Sequence, residues 1–261
     1  MKKLKIYLRY FFEYLKHGDI LSIIASIRYL VNKTSHKKDR IIQTSIGKFF
    51  CRKNTNDFQF ANYGYEWGVK KFLLDHTKEY TVFIDGGACV GDYSILLSRF
   101  GLRCIAFEPM ENNFKVLAKN LELNHLAGKI TAFQCGLGEE NKKTDFIFNP
   151  VNTGASCKST DPGQANCQGE IRTFDSLLPE LNLSINDRIL FKLDIEGMET
   201  EAINGAAGFI RNYPNITFVL EDKHTGQDPI KRALGKSAAF EFGIVDEFNI
   251  FATKINMHSS N

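Results

Sequence analysis

The stretch Tyr80-Thr81-Val82-Phe83-Ile84-Asp85-Gly86-Gly87-Ala88-Cys89-Val90-Gly91-Asp92-Tyr93-Ser94 constrains this chain more than any other. Its first half is a short apolar run of β-branched and aromatic residues, the pattern of a buried strand. Asp85 closes the run, Gly86, Gly87 and Gly91 come next, and an apolar-periodic helix opens near Tyr93. Glycines let the backbone turn tightly and approach a ligand that a Cβ would block. A strand that ends in an acid and a glycine turn is therefore a nucleotide-cofactor cradle. The ordinary alternative is a plain βα turn, and residues further along the chain decide between them.

The second apolar strand, Arg103-Cys104-Ile105-Ala106-Phe107, ends at Glu108. In a Rossmann-like unit an acid about 20 residues past the first strand lies beside the glycine loop, where it accepts hydrogen bonds from ribose hydroxyls. A dinucleotide carries a pyrophosphate and asks for G-x-G-x-x-G, yet Ala88 stands where the second glycine belongs. The pattern Asp85-x-Gly87-x-x-x-Gly91 followed by Glu108 instead suits S-adenosylmethionine, which has no phosphate. A third strand over 130–135 ends at Cys135-Gly136. A fourth, 188–194, runs into Lys192-Leu193-Asp194-Ile195-Glu196-Gly197-Met198-Glu199, and a fifth, 215–220, ends at Glu221. Open α/β sheets bind ligands at the carboxyl ends of their strands, so these ionisable groups should converge on one rim. The plainer reading is a structural lysine–carboxylate cluster at a helix start.

With 261 residues, 43% of them apolar and 12% aromatic, the chain has material for one large α/β core with an N-terminal extension. Its net charge of +3 is too mild to argue for a nucleic-acid partner. Six cysteines show no metal-ligand spacing, and Cys89, Cys104 and Cys135 occupy core or loop positions. That usage fits a reducing cytoplasm. No apolar run reaches about 18 residues, which argues against a spanning helix. Arg9, Glu13, Lys16 and Asp19 interrupt the first segment, which argues against a signal peptide.

Residues 1–39 read as a basic helical extension. Leu4, Leu8, Phe11, Phe12 and Leu15 recur at helical spacing beside a stripe of Tyr7, Tyr10 and Tyr14. Gly18-Asp19 breaks the helix, and Ile20, Ile23, Ile24, Ile27 and Val31 give a second helix its apolar face. Such a basic amphipathic pair either lies on an anionic membrane, here the inner face, or packs on its own domain with a solvated basic side. Residues 40–80 read as a hairpin around Ser45-Ile46-Gly47 and a lead-in helix over 63–75 with Trp67, Val69, Phe72 and Leu73 inward. Helices are expected over 113–123 and 198–210, a long polar loop over 149–169, and two closing strands over 240–242 and 249–253. Alternating strands and helices that end in a hairpin predict a largely parallel sheet with an antiparallel edge strand.

The motifs V-F-I-D-G-G-A-C-V-G-D-Y-S, A-F-E-P-M-E-N-N-F, C-G-L-G, I-R-T-F-D-S-L and L-F-K-L-D-I-E-G-M-E together resemble the FkbM family of S-adenosylmethionine-dependent methyltransferases, from about residue 81 to the tail at 249–251. Cys89 stands where that family commonly has asparagine, Met110-Glu111 replaces a more usual Asn-Pro, and Glu221-Asp222-Lys223-His224 approximates its Glu-x-His. The resemblance implies a Rossmann-like class I methyltransferase α/β fold over 81–261, with a mostly parallel seven-stranded sheet. It implies O-methylation, often of a sugar or another natural-product hydroxyl, so the expected acceptor is a small molecule, a glycan or a glycan precursor. The residues assigned to the cofactor are Asp85, Gly86, Gly87, Gly91, Glu108, Asn113, Cys135 and Gly136. Those assigned to catalysis are Asp194, Glu196 and Lys192, with Glu221 and His224 assigned to the acceptor. Asp194, Glu196 and Glu221 could also coordinate Mg²⁺, but a carboxylate base is preferred and no metal ligand is assigned. A dinucleotide oxidoreductase and a non-catalytic scaffold on the same fold remain the alternatives.

Overall fold

The computed structural model describes residues 2–159, 161 and 163–255, so Met1 and the last six residues of the expected 81–261 domain lie outside the described residues. The chain opens with two helices, α1 (Lys2–Lys16) and α2 (Ile20–Asn32). Gly18, at φ +67°, turns the chain between them, and the Asp19 carboxylate caps α2 by accepting the Ser22 N–H at 3.1 Å. The apolar stripes, which the sequence left either to a membrane or to packing on the chain's own domain, turn outward: Leu4, Leu8, Phe12, Ile20, Ile27 and Val31 are all exposed. The inner faces are built from Tyr14 in α1 and from Ser22, Ala25 and Tyr29 in α2. Tyr14 is buried whole because its hydroxyl donates to the Phe58 carbonyl at 2.7 Å, and the small residues let α2 approach closely.

The expected hairpin is β1 (Arg40–Gln43) with β2 (Lys48–Cys51), paired from Arg40↔Cys51 to Gln43↔Lys48. A short α3 (Asp57–Phe60) and α4 (Trp67–Asp75) come next; α4 starts later than expected because Glu66 adopts a left-handed φ of +46°. Then come β3 (Val82–Gly86), α5 (Asp92–Ser98), β4 (Arg103–Phe107), α6 (Glu111–Leu123) and β5 (Ile130–Phe133). The chain then leaves the main sheet for β6 (Gly136–Leu137), β7 (Lys142–Ile147), β8 (Cys157–Lys158) and β9 (Cys167–Arg172). These four form a small sheet of their own, ordered β6-β9-β7-β8. The region expected as one loop over 149–169 is thus interrupted by strand: 157–158 and 167–169 pair with β7, where their backbone finds its hydrogen bonds, and irregular chain lies before and between them.

After α7 (Phe174–Leu181) and β10 (Ile189–Leu193), the expected helix over 198–210 is two pieces, α8 (Glu199–Asn204) and α9 (Ala207–Asn212), broken at Gly205. Asp175 starts the second piece by accepting the Gly208 and Phe209 amides, each at 2.7 Å. The chain ends with β11 (Ile216–Glu221), α10 (Gln227–Gly235), β12 (Phe240–Ile244) and β13 (Asn249–Lys254). The main sheet has seven strands in the order β12-β13-β11-β10-β3-β4-β5, mostly parallel as expected. Its antiparallel strand, β13, lies one place in from the edge, paired on one side with β11 and on the other with β12. β12 and β13 are joined by a tight turn, so both cannot run parallel to the sheet.

Apolar residues cover both faces of this sheet. One of the two cores unites Tyr14, Phe49 and Phe58 from the first eighty residues with Phe83, Leu96 and Leu190 from the sheet and its helices. Asn120, fully buried on α6, joins these parts by polar contacts: it accepts the Phe50 N–H at 2.7 Å and donates to the Val90 carbonyl at 2.9 Å. Asn120→Leu would leave both backbone groups unpaired. Each such group costs about 1–3 kcal/mol, so urea denaturation of this variant is expected to show a clearly lower midpoint with an unchanged slope.

Candidate active site

Strands β3 and β10 are neighbours, and their register places Lys192 opposite Asp85 and Leu193 opposite Gly86. Beyond that pair both chains turn. Gly87 has φ +86°, and a Cβ there would sit 2.0 Å from the Asp194 carbonyl oxygen. Only glycine allows this approach. The Asp194 N–H donates to the Gly86 carbonyl at 3.1 Å, which fixes the two turns together. After Asp194 the chain reverses through Glu196 (φ +53°) and Gly197 (φ +99°), and the buried Glu199 carboxylate holds this turn by accepting the Ile195 and Gly197 amides. Glu199 is thus a structural acid, with its second oxygen taken by Thr225.

Two clefts meet at this junction, and Gly87, Cys89, Gly154, Asp194 and Glu196 line both. The first, about 540 Å³, has an apolar wall of Met110, Leu137, Phe146, Ile171 and Met198 and a polar end at Glu108 and Asn113. Glu108 is held by the Cys89 and Met110 amides, each at 2.9 Å. Burial pushes its carboxyl up to about 7 despite those bonds. Asn113 accepts from Arg52 at 3.0 Å, and Arg52 forks onto Asp57, so the lead-in segment braces this wall.

The second cleft, about 690 Å³, is lined by Phe60, Tyr65 and Tyr93 and by a set of charged groups: Glu66, Asp92, Lys192, Asp194, Glu196, Glu221 and Lys223. Lys192 is buried and ion-paired with Asp194 at 2.9 Å, so the two side chains share one side of the strand as alternation predicts. Burial opposes its charge, but Asp194, Asp85 and Glu66 outweigh burial and hold the ammonium protonated. Lys70 pairs with Asp92 at 2.9 Å. The two lysines flank the Tyr93 ring at 4.7 and 4.8 Å, and the Tyr93 hydroxyl donates to Glu66 at 2.7 Å. Burial, with the negative charge of Asp194 added, raises Glu196 to about 7. Burial followed by Asp194 and Glu196 raises Glu221 to about 8.

Of the residues singled out in the sequence, Glu108, Asn113 and Gly136 line the first cleft, Lys192 and Glu221 the second, and Gly87, Asp194 and Glu196 both. Asp85 lies beneath the walls, accepting from Ser94 at 2.7 Å; burial lifts it to about 6, and its other oxygen is buried without a hydrogen-bond partner. Gly86, Gly91 and Cys135 also lie behind the walls. Gly91 admits Leu117, and Cys135 packs in the core. His224 stands outside the second cleft and reaches Glu196 at 3.0 Å. Sequence reasoning missed Glu66, Tyr65, Tyr93, Asp92 and Lys70 as site residues. The signal available was the motif V-F-I-D-G-G-A-C-V-G-D-Y-S, which contains Asp92 and Tyr93.

The first cleft fits an adenosine-bearing sulfonium better than a dinucleotide. Its apolar slot with a buried acid at one end suits a nucleoside, and the glycine turn brings backbone close to the ligand. The carboxylates at the junction would repel a pyrophosphate while favouring a cation. Glu196, Glu221 and His224 bring donor atoms within 4.8 Å of one another, a set of oxygen and nitrogen donors that a divalent cation accepts. His224 and Glu196 already satisfy each other.

The fold and cradle are those of a class I methyltransferase. Residues 85–248 match the methyltransferase FkbM domain, and the chain belongs to that family. It is similar to Methyltransferase 1 of Beauveria bassiana (strain ARSEF 2860), with 28% identity over 145 residues, 47% of this chain and 57% of that protein. It is also similar to Methyltransferase sdnD of Sordaria araneosa, with 25% identity over 187 residues, 54% of this chain and 71% of that protein. Among solved structures, methyltransferase FkbM from Methylobacillus flagellatus KT is 19% identical with a TM-score of 0.48, covering 67% of this chain and 44% of that one.

Raised carboxyl pKa values carry a sign for stability. Between the unfolded value near 4.5 and the folded values of about 7 and 8, Glu196 and Glu221 keep protons that the unfolded chain has lost. Stability of the ligand-free protein should therefore fall as pH rises from about 5 to 8. Urea titrations at several pH values check this, and Glu221→Gln should flatten the slope. Gly87→Ala should abolish S-adenosylmethionine binding in calorimetry, because its Cβ must displace the Asp194 carbonyl.

Proposed function

We propose that this protein transfers a methyl group from S-adenosylmethionine to a hydroxyl oxygen of a sugar, glycan or glycan precursor. The observation that carries the reading is the meeting of two chemically different clefts at Gly87, Asp194 and Glu196. S-adenosylmethionine, when bound, supplies an electrophilic methyl on a sulfonium. The chain's task is to align the acceptor oxygen with it and to take the hydroxyl proton. Alignment of this kind accounts for up to about 7–11 kcal/mol of a barrier.

In this proposal Glu108 and Asn113 hold the nucleoside end in the first cleft. Asp194, anchored by Lys192, orients the acceptor. Glu196 accepts the proton: it borders both clefts, and a carboxyl near 7 is matched to proton transfer at neutral pH. Phe60, Tyr65 and Tyr93 offer ring faces, and the charged groups beside them offer donors and acceptors. Flat rings with dense polar groups suit a sugar. The same acidity opposes a nucleic-acid acceptor, whose phosphates it would repel, and opposes the dinucleotide oxidoreductase reading. The carboxylate, rather than a cation held by Glu196, Glu221 and His224, performs the deprotonation, and the cysteine usage favours the cytoplasm as the place of action.

Labelled S-adenosylmethionine offered to extracted glycans tests the acceptor class, and turnover with protein or RNA alone would contradict it. Glu196→Gln should keep cofactor affinity in calorimetry yet slow transfer by about 10²–10⁴-fold. For the unaltered protein kcat should rise through pH 7 and level above pH 8 as Glu196 ionises. Chelation with EDTA should leave turnover unchanged; loss of turnover restored by Mg²⁺ would assign the step to a cation instead.

A further inference from the structure

The first two helices leave an unusual amount of apolar surface in water. Most exposed large apolar side chains among the described residues lie between Leu4 and Val31, and Leu4, Phe12, Leu21, Ile27, Leu30 and Val31 are each more than half exposed, Val31 reaching 80%. They are not scattered. Leu4, Leu8, Phe11, Phe12 and Leu15 form one stripe of α1, and Ile20, Ile24, Ile27 and Val31 one stripe of α2, opposite the side chains that face the core. Contiguous apolar faces of this kind mark an interaction site.

The charges around these stripes indicate the partner. The acid in α1 and the acid that caps α2 are withdrawn from the surface: Glu13 and Asp19 are 7% and 8% exposed. Glu13 accepts the Ser45 N–H at 2.6 Å, and Asp19 pairs with Arg40 at 2.7 Å. By contrast Lys5, Lys16, Arg28, Lys33, Lys37 and Lys38 are exposed, with Asp39 as the exposed acid over residues 4–39. An apolar face of leucine, isoleucine and phenylalanine bordered by positive charge is complementary to an anionic lipid surface. With 15 and 13 residues, the helices extend only about 20 Å each at 1.5 Å per residue. No helix of the described residues is long and apolar enough to cross a membrane, so the pair would lie along the interface. On its inner side α1 is fastened to the wall of the second cleft: Arg9 stacks 4.4 Å from the Trp67 ring, and the Tyr10 and Tyr65 rings are 6.4 Å apart.

We infer that the α1–α2 hairpin docks this protein onto a membrane containing anionic phospholipid, with the apolar stripes inserted among the acyl chains and the lysines against the headgroups. This docking does not depend on the methyl-transfer reading. Cosedimentation of the full chain with vesicles tests it, comparing phosphatidylcholine alone with phosphatidylcholine mixed with phosphatidylglycerol. The expected result is binding to the mixed vesicles at low salt, weakened by added salt, with little binding to phosphatidylcholine alone. Phe12→Ser combined with Ile27→Ser should reduce binding at least about tenfold, since each removes a large apolar side chain from the lipid. Lys37→Glu combined with Lys38→Glu should also reduce it, by about fivefold or more for each lost charge. Both pairs lie on exposed positions, and circular dichroism should show an unchanged fold. Equal recovery with both lipids, no binding at low salt, or binding untouched by either pair of substitutions would overturn the proposal. So would light scattering that shows a dimer broken by the Phe12 and Ile27 substitutions in a chain that ignores vesicles, since a second copy would then cover the face.

Discussion

The carbonyl oxygen of Asp194 lies where a Cβ on residue 87 would be, at 2.0 Å, and the rest of the site depends on that approach. Strands β3 and β10 are held in register up to Gly86 and Leu193, and each must then turn without pushing the other away. A glycine at φ +86° on one side and a left-handed Glu196-Gly197 pair on the other accomplish this. As a result the cofactor turn and the acidic turn share a wall. Were the two strand ends a side chain further apart, the clefts would be separate pockets with no common point for transfer.

Crowding carboxylates around that point is costly, and the structure shows how the cost is distributed. Lys192 and Lys70, both buried, each pair with one acid and flank the Tyr93 ring. Glu108 is held by two backbone amides. Burial still lifts the carboxyls of Glu108, Glu196 and Glu221 toward neutral pH. Perturbation of this kind concentrates where groups exchange protons or hold ligands. The braces come from far along the chain: Arg52 and Asn56 from the lead-in segment tie down Asn113 and the Asn152-Thr153 turn that closes over both clefts.

The central sheet was legible in the sequence because each of its buried strands is a continuous apolar run that ends in glycine or an acid. Asp194, Glu196 and Glu108 were legible for the same reason, since ionisable residues at strand ends stand out against the apolar runs. Position along a strand, however, does not tell which side chains reach the cavity. Asp85 shares a register position with Lys192, yet it is turned beneath the wall toward Ser94. Glu66 carries no periodic signal, and it joins the site only through its left-handed backbone and its bond from Tyr93. The first two helices were legible as helices but not in orientation. Their stronger apolar stripes faced water, because Tyr14 and the Ser22, Ala25 and Tyr29 face fitted the core. Periodicity reveals an amphipathic face without revealing what covers it.

The central claim is that the apolar cleft takes the methyl donor and the charged cleft takes the acceptor, with Gly87 and Asp194 between them. A crystal structure with bound S-adenosylhomocysteine tests it most directly. The account predicts the adenine among Met110, Phe146 and Ile171, the ribose at Glu108, and the sulfur at the junction facing Asp194 and Glu196. An adenosine lodged instead among Glu66, Tyr93 and Lys192 would contradict it.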